Sequence, residues 1–251
     1  KYQAREDDRV CQRLANKQAF ADDPVPVDTE LEGGSIETDG AGTLLTTEAC
    51  LLSGSRNNSI TKQDLENTLK ATLGITHIHW LKNGWLEGDD TDSHIDNLVR
   101  FTDPQTLIYT SCDNPEDPHY LPLMKMRLEL EQLTTKSGAP YRLVPLPWPA
   151  AQFNEDGRRL PASYANFLIL NGAVLVPAFN RPATATPGNV NSPAAFDTDL
   201  IARKAYKDCF PGRTIIPIDS TTLIRQYGGV HCAAMQLASG TLNENEYGSA
   251  L

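Results

Sequence analysis

One order of elements recurs along the chain, and it constrains the fold more than any single motif. From residue 29, "TELEGGSIET" reads as a strand, Asp39-Gly40 as a hairpin turn and "GTLLTT" as the returning strand. "TKQDLENTLKATLG" reads as a helix with Thr61 as N-cap, a stripe of Leu65, Leu69 and Leu73, and Gly74 closing it. "THIHWL" completes a β-β-α-β unit. A second unit runs through "HIDNLVRF", the turn at Asp103-Pro104, "TLIYTSC", a helix over 120–136 carrying Leu123, Met126, Leu130 and Leu133, and "YRLVPL". A third runs through "SYANFLIL", the turn at Asn171-Gly172, "AVLVPAF", a helix over 196–209 and "TIIPI". The first strands open near residues 30, 94 and 163, a spacing of roughly 65–70 residues.

Fragments stand at both ends. "GGVHCAAMQLA" reads as the first strand of a fourth unit, and "DDRVCQRLANKQ" with "PVPV" as the helix and last strand of a unit whose start is absent. Units of this size bury a face against a neighbour, and radial repetition closes them into a propeller-like ring that protects sheet edges. The alternative is one continuous α+β sheet. The chain opens on Lys1 without a charged-then-apolar leader, so a processed or truncated piece is expected, with one to two N-terminal units absent.

If the units surround an axis, equivalent positions meet near it. Each unit opens on residues capable of chemistry: Glu32 in "EGGSIE", His94 and Asp96 in "HID", Asn166 in "YANF", and Cys232 in "GGVHC". In a strand, residues i and i+2 share a face, so "H-x-D" is expected to put imidazole and carboxylate on one side. Taken singly, each has a plainer explanation. Cys232 could be a small core side chain, His94 a hydrogen-bonded ring, and Glu32 and Asn166 acceptors for a turn.

Other clusters carry less. "EGDDTDSHID" (87–96) is dense in oxygen ligands but lacks the Ca²⁺-loop pattern of glycine and terminal glutamate. Asp90 within it is counted as a substrate-binding candidate. "HIH" (His77, His79) could mimic a zinc pair but sits in a closing strand, so it is treated as structural. Neither Gly33-Gly34 nor Gly228-Gly229 extends into a dinucleotide fingerprint. The stretch 179–193 is a long Pro-rich loop suited to a lid or binding element.

Net charge is −10, without the basic footprint that nucleic-acid binding needs; an acidic field favours small cations. No apolar run reaches the roughly 18 residues of a membrane span. Cys11, Cys50, Cys112, Cys209 and Cys232 are odd in number and lack CxxC spacing, as expected of reduced thiols in a cytoplasmic compartment.

Together, "LEGGSIETDGAGTLLTTEACLL", "DDTDSHIDNLVRF", "SYANFLILNGAVLVP", "FPGR" and "GGVHCAAMQL" resemble, in order and over nearly the whole chain, the agmatine deiminase family and its bacterial peptidylarginine deiminase relatives. The resemblance implies an α/β fold, a five-bladed propeller of ββαβ modules (the pentein fold), with residues 1–251 as one catalytic domain. It implies Cys232 as nucleophile, His94 as acid and base, Asp96 as the carboxylate gripping a guanidinium, and Glu32 at the pocket; Asn166 is carried over less directly. Relatives hold a second guanidinium-gripping aspartate in an N-terminal stretch that nothing here matches, and the 179–193 loop exceeds their usual length. The expected reaction is agmatine plus water to N-carbamoylputrescine plus ammonia, with no metal or organic cofactor. The expected partner is a small guanidino substrate, not nucleic acid or a membrane, and a homo-oligomer is compatible. Peptidyl or free arginine is the alternative substrate. Two other classes stay open: a non-catalytic guanidino-binding member, and a metal-dependent hydrolase using His94, Asp96, His231 and Cys232.

Overall fold

A computed structural model describes residues 6, 7, 9–179 and 197–243. Most of the 179–193 loop lies outside these residues. The chain divides into two compact units. The smaller joins the segments before Leu31 and after Ala234. It holds helix α1 (Val10–Asn16) and a bridge between Phe20 and Leu242. The expected "PVPV" strand does not form. Pro24 and Pro26 lack the N–H a ladder needs, and Val25 and Val27 are exposed.

The larger unit, Leu31–Ala234, contains the three expected β-β-α-β modules. In the first, β1 (Ile36–Thr38) pairs antiparallel with β2 (Thr43–Thr47). A short helix α2 (Glu48–Leu51) and α3 (Lys62–Leu73) then cross over to β3 (His77–Leu81), parallel to β2. The second repeats this with β4 (Val99–Asp103), β5 (Thr106–Thr110), α4 (Tyr120–Leu130) and β6 (Arg142–Leu146). A two-stranded hairpin, β7 (Gln152–Phe153) and β8 (Arg159–Leu160), leads to the third. That module has β9 (Leu168–Ile169), β10 (Ala173–Ala178), α5 (Thr198–Cys209) and β11 (Thr214–Asp219).

Local chemistry accounts for the elements. "TLLTT" and "TLIYT" are buried at every position, as central strands covered on both faces must be. The Thr61 hydroxyl accepts from the Asp64 N–H, and Gly74 ends α3 at φ 67°. Leu65 and Leu69 are buried, but Leu73 is exposed at the helix end. Helix α4 stops at Leu130, short of the expected 136. In the first hairpin the Asp39 carboxylate accepts from the N–H groups of Ala41 and Thr43, an Asx turn.

Each module borrows core from the next. Leu45 and Leu81 of the first lie in the cluster built on Val99, Leu107 and Met126 of the second. Ile108 and Leu146 of the second lie in that built on Phe167, Val176 and Tyr206 of the third. One buried ion pair ties all three: Arg100 Nε donates to Glu37 at 2.5 Å, and its Nη1 to the Phe167 carbonyl at 2.8 Å.

The expected first strands are shorter than the sequence suggests. Residues 30–35, 94–97 and 163–167 are loops or single 3₁₀ turns ahead of β1, β4 and β9. "GGVHCAAMQLA" forms turns rather than a fourth opening strand. Its backbone N–H groups go to a side chain: His231 and Cys232 both donate to Asn166 Oδ1, at 2.8 and 3.3 Å. No described helix is long and apolar enough to cross a membrane.

Candidate active site

The loops that open the modules converge. Asp96 is fully buried, and its Oδ2 accepts from His231 Nδ1 at 2.9 Å and from the Cys232 thiol at 3.3 Å. Asn166 clamps the same sulfur. Its Nδ2 reaches Cys232 Sγ and Asn97 Oδ1, each at 3.1 Å, while its Oδ1 holds the two backbone N–H groups described above. A Cβ at Gly34 would lie 2.6 Å from His94 Nδ1 and 2.7 Å from Asp96 Oδ2, so this glycine lets ring and carboxylate meet. Gly229 does the same for Asn166, whose Oδ1 would stand 2.4 Å from an added Cβ. Cys232, His94, Asp96, Asn166 and Glu32 thus belong to one contiguous cluster.

His94 and Asp96 do not share a strand face as expected. Both precede β4, in and beside the turn Ile95–Asn97, and that turn directs them to Gly34. It is held from outside. Asn97 O accepts from Thr110 Oγ1 and Ser163 Oγ, and Ser93 O from Thr47 Oγ1. Asp92 and Ser93 sit at φ 63° and 68°, left-handed values costly for side-chain-bearing residues.

Two residues not singled out in the sequence complete the far wall. The Arg56 guanidinium is buried, with Nε on both Glu32 oxygens at 2.7 and 3.0 Å, Nη1 on Asp92 at 2.7 Å and Nη2 on the Thr91 carbonyl. Cys50, fully buried, shares with Glu32 and His94 a cluster whose donor atoms lie within 4.8 Å of one another. Among the described residues this is the set that could hold a metal ion, rather than His94, Asp96, His231 and Cys232. Asp90 is half-buried in the acidic segment, where Asp89 accepts from Thr91 and Ser93 and Asp92 takes Arg56. His79 contacts the Thr134 carbonyl and the Tyr141 hydroxyl, as a structural histidine would.

The charges are arranged unevenly. Burial works against a charged His94, but its polar contacts with Cys50 and Glu32 and the charge of Asp96 outweigh it and push the ring up to about 10. Burial would raise Glu32, yet His94 and Arg56 hold it down at about 2. Asp96 is likewise lowered, because His231, His94 and Arg100 overcome its desolvation. Cys232 moves the other way: although the residue as a whole is exposed, desolvation of its sulfur between Asp96 and Asn166 and the Asp96 charge push the thiol up to about 12. The site therefore holds a cationic imidazole, two carboxylates and a neutral thiol at neutral pH.

Known proteins resemble this chain in sequence and in fold. The sequence profile of Porphyromonas-type peptidyl-arginine deiminases matches residues 1–238. A Vibrio parahaemolyticus protein provisionally named agmatine deiminase is 36% identical over 223 residues, 82% of this chain and 58% of the relative. A provisionally assigned arginine deiminase from Porphyromonas gingivalis superposes with a TM-score of 0.85 at 40% identity, covering 94% of this chain and 66% of that one. A cysteine-to-serine variant of C. jejuni agmatine deiminase with substrate bound gives 0.81 at 37% identity, covering 94% and 64%. The chain spans 56–63% of the curated relatives' length. With a profile match over nearly all of its residues, the chain belongs to the Porphyromonas-type peptidyl-arginine deiminase family.

Proposed function

We propose that this protein hydrolyses a guanidino group through a covalent intermediate on Cys232, with agmatine as the substrate, giving N-carbamoylputrescine and ammonia. The observation that carries the proposal is at Asp96. Its Oδ2 lies 3.3 Å from Cys232 Sγ, while its Oδ1 is buried without a hydrogen-bond partner. An unpaired buried carboxylate oxygen is costly, and a planar cation with N–H donors would satisfy it by a charge-assisted bond. That bond would hold the guanidinium carbon over the sulfur.

The chemistry follows from the charges. Bound guanidinium neutralises the Asp96 field that keeps the thiol protonated, so the Cys232 proton is lost to solvent and the thiolate attacks the guanidinium carbon. His94, already an imidazolium, donates its proton to the departing nitrogen as the C–N bond breaks and ammonia leaves. The neutral ring then takes a proton from water. The resulting hydroxide adds to the carbon, the C–S bond breaks as the added hydroxyl gives its proton to solvent, and the neutral urea-type product leaves with the thiolate restored. Asn166 positions Sγ, and Glu32, held by Arg56, keeps His94 charged.

We read the three modules as consecutive blades of a five-bladed ring and residues 1–251 as belonging to one catalytic domain. All five cysteines are free, in keeping with a cytoplasmic setting. Peptidyl or free arginine is the alternative substrate, the peptidyl form being the one in the matching profile's description. The test is ammonia release and ureido colour from agmatine, free arginine and a C-terminal arginine peptide. Agmatine should be turned over fastest, and Cys232→Ala should lower kcat by on the order of 10³ or more while staying folded. Near-normal turnover in that variant would refute the nucleophile.

A further inference from the structure

Cys50 is not needed for the reaction above, yet it stands beside the general acid. The side chains of Cys50, Glu32 and His94 hold Sγ, a carboxylate oxygen and a ring nitrogen within 4.8 Å of one another. Glu32 Oε1 and His94 Nε2 are 3.7 Å apart. His94 is more than nine-tenths buried, and its Nε2 makes no hydrogen bond of ordinary length. A buried ring nitrogen without a hydrogen-bond partner, beside a thiol and a carboxylate, becomes a mixed sulfur, nitrogen and oxygen ligand set once a metal displaces its proton.

We propose that Cys50 Sγ, His94 Nε2 and Glu32 Oε1 form an inhibitory site for Zn²⁺ or a similarly thiophilic divalent cation. Zinc takes one sulfur, one nitrogen and one oxygen at about 2.0–2.3 Å, which places ligands about 3.3–3.7 Å apart in a tetrahedron. The Glu32–His94 separation of 3.7 Å is within a few tenths of an ångström of that edge, and the sulfur, within 4.8 Å of both, needs to close by at most about 1 Å. Glu32 retains lone pairs for a metal although Arg56 holds both its oxygens, since each carboxylate oxygen accepts more than once. Arg56 also fixes that carboxylate in place. The metal replaces the thiol proton of Cys50 and any proton on Nε2, both released to solvent. Its consequence rests on the function proposed above: with zinc on Nε2 the ring is no longer an imidazolium, so His94 lacks the readily transferred proton that the departing nitrogen needs, and turnover stops without modification of Cys232.

Binding can be measured apart from turnover. Zn²⁺ is titrated against a chromophoric chelator into the wild type, Cys232→Ala and Cys50→Ala. Affinity should be unchanged within a factor of about three in Cys232→Ala and at least tenfold weaker in Cys50→Ala. Wild-type activity should fall with zinc occupancy and return on chelation. Should Cys50→Ala fail to fold, Co²⁺ added to Cys11→Ser/Cys232→Ala, in which no described cysteine remains exposed, reads the same site. A thiolate-to-cobalt charge-transfer band that zinc abolishes supports the assignment. Absence of the band, absence of binding, or binding lost with Cys232 rather than Cys50 overturns it. A protein without activity on any guanidino compound that still binds zinc through Cys50 fails the function and not the site; an active one that binds no zinc fails the site alone.

Discussion

The state of the resting thiol gives the sharpest test of the site's electrostatics. An unperturbed thiol near 9 and Cys232 at about 12 differ by three units, so at neutral pH Cys232 carries about a thousandfold less thiolate. Higher basicity returns part of this, because nucleophilicity rises by about 0.4–0.5 log units per pKa unit, or about twentyfold here. Without substrate, Cys232 should therefore react with iodoacetamide about fiftyfold more slowly than an unperturbed exposed thiol. Cys11, exposed and free, is the internal comparator, and peptide mapping by mass spectrometry after timed quenching separates the two. The sign of the pH profile is set as well: Cys232 labelling should climb tenfold per unit from pH 6 to 10 without a plateau. Asp96→Asn removes the charge that disfavours the thiolate, so it should speed labelling of Cys232 while abolishing turnover, a combination that misfolding does not produce. Labelling within fivefold of Cys11, a plateau below pH 8, or slower labelling in Asp96→Asn would refute the reasoning.

Two further outcomes test the scaffold. Gly34→Ala would place a methyl 2.6–2.7 Å from His94 Nδ1 and Asp96 Oδ2; displacement of either group should lower kcat by about a hundredfold. Gly33→Ala, with nothing within 4 Å of the added Cβ, should stay near wild type in the same steady-state assay, and equal losses in the two would show that backbone freedom, not space, is what Gly34 supplies. Arg100→Ala strips Glu37 of its buried partner and frees the Phe167 carbonyl, so it should cost about 3–5 kcal/mol. Urea unfolding followed by circular dichroism measures it, and a loss under 1 kcal/mol would show that the pair does not bind the modules together.

The module order was legible because it is written in backbone chemistry. The central strands are apolar, β-branched or threonine-rich, the crossover helices carry their own stripes and caps, and Asp-Gly, Asp-Pro and Asn-Gly mark the hairpins. The buried link from Glu37 through Arg100 to Phe167 was not legible, since an ion pair 63 residues apart in sequence leaves no periodic trace. The opening strands were overextended for a related reason. In "EGGS", "HIDN" and "YANF" the backbone groups pair with local side chains or within single turns, and a hydrophobic pattern alone does not distinguish such a segment from a ladder.

The same property explains why the site could be found by position but not by shape. A residue inside a regular strand has its direction fixed by the pleat. A residue just ahead of one is aimed by its turn, as His94 and Asp96 are aimed at Gly34 by the turn Ile95–Asn97. Repetition of the module returns those turns to equivalent places, so Glu32, His94, Asp96 and Asn166 could be gathered without knowing where any of them points. Cys50 and Arg56 follow the second strand of their module instead, in α2 and the loop before α3. They reach the site through His94 and Glu32, respectively, contacts that neither the repeat nor local propensity encodes. Position in the repeat therefore identifies the residues around Cys232, including the Glu32 and Asp96 that help to charge His94, while Cys50 and Arg56 emerge only from packing.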